Sequence, residues 1–269
     1  MTKKVAVLVI HGMGSQTPCF AEDMIEELNS RISLLSKSPD AVAWKTIYWA
    51  DILESTQVKY LENVKKNYDI DFFGLRKFTL TALGDATAYQ KTNCNEASDT
   101  YGRIHERVKE KVRDLYRTEL EQQDCPLIVL AHSLGGHIMS NYIWDLQKTS
   151  DNDLSAFEKM DHLAGMITFG CNIPLFTFAY DKVVPINFPG KSLSAENKIK
   201  AKWNNYYDPD DVLGYPLKAI NSDYASVVDD DIAINAGGIL SHWNPACHSA
   251  YWTDNDFTKP VSKYIGEFL

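Results

Sequence analysis

The sequence predicts an α/β fold in which a mostly parallel central sheet is flanked by helices. Short apolar runs rich in β-branched residues, such as Val5–Ile10, are typical of strands buried on both faces of a parallel sheet. These runs alternate along the chain with longer segments whose apolar residues recur at helical spacing, which favours parallel crossovers. The length of 269 residues suits one domain of roughly 200–250 residues with a modest insertion.

Six segments have the composition of strands: residues 5–10, 42–49, 127–131, 163–169, 202–207 and part of 226–234. After the first of them, Thr17 and Pro18 resemble an N-cap and a first helical residue, so a helix is expected to begin there. A single apolar stripe on a charged segment, from Ile104 to Leu120, predicts a helix before the third strand. A helix over residues 257–268 is expected to end the fold.

Residues 53–97 interrupt this alternation. They combine mixed charges, aromatic residues and two glycines without a clean period. We expect a helical insertion, packed as a cap or at the edge of the sheet, within a single domain of residues 1–269. Its aromatic residues, among them Tyr60, Phe72 and Tyr89, either pack in the core or line a ligand pocket.

The composition argues against several classes of partner and site. A net charge of −9 repels phosphate backbones, so no nucleic-acid partner is expected. No apolar stretch approaches the roughly 20 residues that span a membrane, and no metal or cofactor site is expected. The odd number of widely spaced cysteines, without a C-x-x-C pair, favours free thiols and a cytoplasmic location. These cysteines are Cys19, Cys94, Cys125, Cys171 and Cys247.

The strongest local pattern is the segment around Ser133, which joins a predicted strand to a predicted helix. A serine hydroxyl becomes an effective nucleophile only in a fixed geometry beside a base. A sharp strand-to-helix turn provides that geometry, and it requires small residues two positions before and two positions after the serine. Ala131 and Gly135 occupy these positions. We therefore predict Ser133 as a nucleophile, with the backbone N–H of Leu134 at the start of a helix, where an oxyanion is favoured.

The glycine-rich segment after the first strand, His11-Gly12-Met13-Gly14, supplies a second candidate donor. A glycine-rich loop at this place in the chain bends so that a backbone N–H faces the oxyanion of an acyl-transfer reaction. Gly12 and Gly14 permit the bend, and the donor is predicted to be the N–H of Met13. An ordinary glycine turn is the simpler interpretation of the same residues.

A base is expected towards the C-terminus, because the chain order of such sites is serine, acid, histidine. His248 lies just before the last predicted helix, on a loop that can reach Ser133, and it is the preferred candidate. His242 is the alternative. The five other histidines lie in helical, loop or motif contexts that direct them away from the hydroxyl; they are His11, His105, His132, His137 and His162.

The acid is expected in the aspartate-rich turn after the fifth predicted strand. One aspartate must accept a hydrogen bond from the imidazole and hold its tautomer. We select Asp211, which precedes an apolar pair and a glycine, and keep Asp208 as the alternative. The remaining aspartates of the turn are expected to be solvated.

Taken together, these segments resemble the α/β-hydrolase superfamily and, within it, the lipase- and esterase-like branch. The resemblance rests on five motifs in order: H-G-M-G at 11–14, A-H-S-L-G-G at 131–136, T-F-G at 168–170, D-P-D-D-V at 208–212 and H-S-A-Y-W at 248–252. It implies Ser133 as nucleophile, His248 as base, an aspartate near 211 as acid, and Met13 and Leu134 as the oxyanion hole.

The function implied by this resemblance is hydrolysis of a carboxylic ester in a small-molecule acyl substrate, without a cofactor. A thioesterase or an amidase with the same residues is an alternative, because one catalytic array serves all three reactions. A binding protein on a hydrolase scaffold is a further alternative, although such proteins usually lack the serine or the histidine.

Overall fold

The computed structural model describes residues 2–91, 99–149, 153–237 and 247–269, and these form an α/β fold around one sheet. Within them the sheet has six strands, every neighbouring pair parallel, in the order β2-β1-β3-β4-β5-β6. The predicted fold class is therefore confirmed. The strands are β1 (Val5–Ile10), β2 (Val42–Ile47), β3 (Leu127–His132), β4 (Leu163–Phe169), β5 (Lys202–Tyr207) and β6 (Asp230–Ala233).

Helices cover both faces of this sheet. The α-helices of the described residues are α1 (Glu22–Leu34), α2 (Asp51–Asn67), α3 (Phe73–Ala88), α4 (Thr100–Asp114), α5 (Leu134–Lys148), α6 (Ile173–Thr177), α7 (Ala195–Lys200), α8 (Ser222–Val227) and α9 (Asn255–Gly266). A π-helical turn, Leu115–Glu119, continues α4, and a 3₁₀ segment, Cys247–Thr253, precedes α9. None of these described helices is long and apolar enough to cross a lipid bilayer.

The alternation of side chains along β1 divides the core into two layers. Every residue of β1 and β3 is buried, as expected for central parallel strands. The alternate residues Val5, Val7 and Val9 pack in the layer that holds α1 and α9, while Leu8 and Ile10 pack in the layer that holds α4 and α5. Burial on both faces fixes the register of the strands, because a slip of one residue would exchange the two sets of side chains.

The predicted start of the first helix is wrong. The first helix begins at Glu22 rather than at Thr17, because residues 17–20 form a turn in which the Phe20 N–H donates to the Thr17 carbonyl at 3.1 Å. The last strand, Asp230–Ala233, lies within the predicted segment 226–234, and α8 precedes it. Asn221 caps that helix by accepting from the Tyr224 N–H at 3.0 Å.

The predicted insertion is helical over its described part, residues 53–91, whereas residues 92–97 lie outside the described residues. Most of it forms α2 and α3, which pack against each other, and α2 also contacts α4. Tyr60 and Phe72 lie largely in solvent, so they do not line a pocket in this state. Tyr89, at the end of α3, is buried in the core.

Candidate active site

The predicted functional residues meet at the carboxyl edge of the sheet. Ser133 follows β3, Asp211 follows β5, and the H-G-M-G loop follows β1. The carboxyl ends of parallel strands share one edge of a sheet, and ligands of open α/β folds bind there.

Ser133 occupies the sharp turn that the flanking small residues predicted. Its backbone has φ 52° and ψ −125°, a conformation that L-residues rarely adopt and that the surrounding structure must stabilise. The Ser133 N–H donates to the Phe169 carbonyl at 3.0 Å, and its own carbonyl accepts from the Gly136 N–H at 3.0 Å. The turn is thus anchored to β4 on one side and to α5 on the other.

A continuous line of hydrogen bonds joins Ser133, His248 and Asp211. The distance from His248 Nε2 to Ser133 Oγ is 2.7 Å, and that from His248 Nδ1 to Asp211 Oδ2 is 2.8 Å. These residues are separated by 115 and 37 positions along the chain. All three are buried, and Ser133 has no exposed surface. The structure therefore brings together the preferred serine, histidine and aspartate.

Asp211 is held as a carboxylate by its neighbours. Burial alone would raise the pKa of this side chain. The hydrogen bond and the charge of His248 oppose that effect, together with hydrogen bonds from the Leu213 N–H and the Tyr251 hydroxyl, and the pKa of Asp211 is lowered. The Leu213 N–H donates to Oδ1 at 3.0 Å, and the Tyr251 hydroxyl donates to Oδ2 at 2.9 Å. Asp211 is thus placed to hold one imidazole tautomer.

Tyr251 is a functional neighbour that sequence reasoning missed. It lies three residues after His248 in the 3₁₀ segment, and its hydroxyl also accepts from the Asp208 N–H at 2.8 Å. The single phenol therefore links the histidine-bearing segment to the aspartate turn. Its position in the H-S-A-Y-W motif gave a local signal, since residues three apart face the same side of a 3₁₀ turn.

The structure describes the alternative acid, Asp208, but not the alternative base, His242. Asp208 is buried, but its carboxylate accepts from the Ala236 N–H at 2.7 Å and the Asp210 N–H at 2.8 Å. These bonds give Asp208 the role of a turn-stabilising side chain, and its carboxylate is not joined to His248. The other candidate base, His242, lies outside the described residues.

The three predicted glycines each meet a specific demand. A Cβ at Gly12 would lie 2.4 Å from the Ser133 Cβ, and a Cβ at Gly135 would lie 2.6 Å from the His11 carbonyl oxygen. Gly14 has open space around it but a φ of +93°, which L side chains rarely adopt. The H-G-M-G loop and the serine turn therefore approach each other closely because neither side carries a Cβ at these positions.

The amides of Met13 and Leu134 flank this close approach. Leu134 is the first residue of α5, so its N–H has no carbonyl partner within the helix. That the N–H groups of Met13 and Leu134 donate to an oxyanion remains a prediction.

Two further buried histidines brace the site as neutral groups. Burial lowers the pKa of His11 to about 4 and that of His132 to about 3. His11 Nε2 accepts from the Trp49 N–H at 3.0 Å, while His11 Nδ1 donates to the Gly12 carbonyl at 2.7 Å. His132 Nε2 donates to the backbone carbonyl of His248 at 2.7 Å. Through these hydrogen bonds the two rings fix the backbone of Trp49, Gly12 and His248 around the site.

A cavity of about 420 Å³ borders α5 and α6. His137 and Trp144 line it from α5, Phe176 lines it from α6, and Tyr89 closes one side. The His137 and Phe176 rings are stacked, with centroids 4.1 Å apart. A volume of this size is typical of a site for a small ligand. Among the described residues, no group of three or more His, Cys, Asp or Glu side chains is arranged to hold a metal ion.

The close contact at Gly135 predicts a large effect of a single methyl group. We expect Gly135→Ala to lower the free energy of unfolding by about 1–3 kcal/mol, since the new Cβ meets backbone atoms that cannot move aside. Gly74 is the matched control: it is also the second residue of a helix, and a Cβ there meets nothing within 4 Å. Gly74→Ala should leave stability unchanged or raise it by up to about 1 kcal/mol. Urea unfolding measures both, and a Gly135→Ala protein as stable as wild type would contradict the packing described.

The chain shows little similarity to known proteins. No protein-family model matches it, and no curated protein matches it. A solved structure of a lipase-esterase related protein from Clostridium acetobutylicum is similar over 99% of this chain and 95% of that chain, with a TM-score of 0.40 and 10% sequence identity. Similarity at this level identifies no family.

Proposed function

We propose that this protein is a serine hydrolase that cleaves a carboxylic ester through an acyl-enzyme on Ser133. The observation that carries the proposal is the line of hydrogen bonds from Ser133 Oγ through His248 to Asp211, at 2.7 and 2.8 Å. A nucleophile in contact with a base, which is in turn oriented by a third group, is the arrangement that nucleophilic catalysis requires. The resemblance of the five motifs to the lipase- and esterase-like branch supports the same reaction.

In the first step, Ser133 Oγ attacks the ester carbonyl carbon while its proton passes to His248 Nε2. The electron pair of the C=O double bond moves onto the oxygen, and a tetrahedral oxyanion forms. Asp211 stabilises the imidazolium that results and keeps Nδ1 protonated. The low pKa of Asp211 means that this carboxylate stays ionised at neutral pH.

The oxyanion is stabilised by the backbone N–H groups of Leu134 and Met13. The Leu134 donor lies at the positive end of the α5 dipole, and each such donor typically lowers the barrier by about 2.7–4 kcal/mol. When the tetrahedral intermediate collapses, His248 Nε2 gives its proton to the leaving alcohol. His248 then takes a proton from water as the water oxygen attacks the acyl carbon and a second tetrahedral oxyanion forms. When this intermediate collapses, the bond from the acyl carbon to Ser133 Oγ breaks, His248 Nε2 returns the proton to Oγ, and the carboxylic acid is released. These steps need no cofactor.

The cavity beside α5 is the proposed site of the acyl group. Ser133, His248 and Asp211 do not line this cavity; its lining residue His137 lies four residues after Ser133, a rise of about 6 Å along α5. Its aromatic lining suits an apolar acyl chain of modest length. Because Ser133 is fully buried, an ester reaches it only after a local opening of the segments that cover it.

We also propose a cytoplasmic location, supported by the free thiols of Cys19, Cys125 and Cys171.

Hydrolysis of p-nitrophenyl esters of increasing acyl length tests the proposed reaction. Ser133→Ala and His248→Ala are each expected to lower kcat by about 10⁴-fold or more, because the two groups act as a unit. The matched control is His242→Ala, which removes the alternative base and is expected to keep wild-type rates. Loss of activity in His242→Ala with retention in His248→Ala would assign the base to the other histidine. Equal rates in wild type and Ser133→Ala would remove the proposed function.

The two aspartates of the turn give a second matched pair. Asp211→Asn is expected to lower kcat by about 10⁴-fold, because an amide in place of the carboxylate favours the wrong imidazole tautomer. Asp208→Asn keeps one acceptor for the two N–H groups that Asp208 binds, so it should affect stability more than kcat. The measurement is kcat with the best ester of the series, together with the urea midpoint of each variant. Similar kcat values for the two variants would contradict the role given to Asp211.

A further inference from the structure

The helical insertion contacts the H-G-M-G loop through one buried carboxylate. Asp85, on α3, accepts from the Gly14 N–H through Oδ2 at 2.7 Å. Its other oxygen, Oδ1, accepts from Gln57 Nε2 on α2, also at 2.7 Å. Only 3% of Asp85 is exposed. A single side chain therefore connects both helices of the insertion to the loop that carries Met13.

The buried carboxylate of Asp85 has an energetic cost that its hydrogen bonds must offset. A carboxylate removed from water costs free energy unless hydrogen bonds replace its hydration. Burial raises the pKa of Asp85, and the hydrogen bonds from Gly14 and Gln57 partly oppose that effect. An apolar residue would pack α3 against the loop without this cost. A carboxylate with one oxygen on each of two donors instead fixes the orientation of both donors.

The hydrogen bond from the Gly14 N–H connects Asp85 to the loop that carries the candidate oxyanion donor. The Gly14 N–H is directed at the insertion by its bond to Asp85, so the peptide between Met13 and Gly14 is held in one orientation. Gly14 already has a φ of +93°, which leaves this peptide few other restraints. On the opposite side of the loop, Gly12 touches Ser133. The Met13 N–H belongs to the neighbouring peptide, between Gly12 and Met13, so it is joined along the chain to both of these contacts and Asp85 acts on it through residue 13.

We propose that Asp85 is a positioning residue of the hydrolytic site: it holds the Met13 N–H in place for the oxyanion and makes α2 and α3 a fixed brace of the H-G-M-G loop. This inference rests on the proposed ester hydrolysis. Asp85 touches no reacting atom and acts only through the loop. The opening that a substrate needs is accordingly assigned to segments other than this pair of helices.

An exchange of the two hydrogen-bonding partners tests the proposal. Asp85→Leu keeps a side chain of similar size and removes both acceptors, so the Gly14 and Gln57 donors lose their partner. Asp85→Asn alone does not break the contact, because the Gln57 amide can turn over and accept from the new NH₂ group. In the double variant Asp85→Asn with Gln57→Glu, the amide oxygen of residue 85 accepts from Gly14, and its NH₂ group donates to the new carboxylate. Both hydrogen bonds are then restored, and only the one between residues 57 and 85 has its donor and acceptor exchanged. Glu62→Gln, an exposed change on α2, is the control for loss of one charge from the insertion.

The expected kinetic result is a change in kcat rather than in KM. Asp85→Leu should lower kcat by about 10-fold or more, because complete loss of one oxyanion donor costs about 10²–10³. KM should change by less than about 2-fold, since ground-state binding does not use this donor. The double variant should recover kcat to within about 3-fold of wild type. Binding of a trifluoromethyl ketone, whose hemiketal oxygen occupies the same position as the oxyanion, should weaken and recover in parallel.

Hydrogen exchange of the Gly14 amide, followed by NMR, tests the contact independently of catalysis. The amide should be protected in wild type, exchange faster in Asp85→Leu and be protected again in the double variant. If wild type protects Gly14 but shows no Ser133-dependent hydrolysis, the proposed function fails while the structural contact stands. If the enzyme is active and Asp85→Leu loses Gly14 protection without loss of kcat, the positioning role is overturned. Recovery of thermal stability without recovery of kcat in the double variant would also overturn it.

Discussion

The backbone turn at Ser133 is the constraint on which the rest of the site depends. A serine at positive φ is held there only because β3, β4 and α5 fix both sides of the turn through packed strands and backbone hydrogen bonds. The turn lifts the hydroxyl above the sheet, and it brings the first amide of α5 beside the same point. Gly12 and Gly135 then let the H-G-M-G loop reach the turn from β1 at less than the usual distance. The parallel sheet thus serves to set three separate chain segments against one oxygen atom.

Burial determines which groups near this oxygen carry charge. Because desolvation lowers the pKa values of His11 and His132 well below neutral, both are uncharged braces rather than competing bases. Asp211 is buried to a similar degree but stays ionised because it accepts hydrogen bonds from His248, Leu213 and Tyr251. One carboxylate therefore faces one imidazole, which gives the imidazolium of the proposed acyl transfer a fixed counter-charge.

Local rules were sufficient for much of this arrangement. Strands β1 and β3, the small residues around Ser133 and the position of Gly12 follow from burial pattern and from turn geometry, both of which act over a few residues. The choice of Asp211 over Asp208 followed only from the residues that come next in the sequence. In the structure both aspartates are buried, and the difference between them is which donor each one meets.

Long-range partners could not be derived in the same way. Asp85 binds an amide 71 residues away, and His132 binds a carbonyl 116 residues away. The first pairing depends on how α3 packs beside the loop after β1, and the second on where the 3₁₀ segment before α9 lies; no periodicity in the sequence encodes either. The same limit applies to the start of α1. Thr17 has the sequence pattern of an N-cap, but a turn follows it and the helix begins only at Glu22. Tyr251 was nearer to being found, because it lies in the same short motif as His248.

The central claim is that Ser133 is an activated nucleophile, and covalent labelling by a fluorophosphonate tests it most directly. The probe reacts with the serine oxygen, loses fluoride and leaves a stable phosphonyl adduct, which intact mass and peptide mapping locate. The account predicts one adduct on Ser133 in wild type, none in Ser133→Ala and much slower labelling in His248→Ala. A folded wild-type protein that forms no adduct, or that is labelled at another residue, would contradict it.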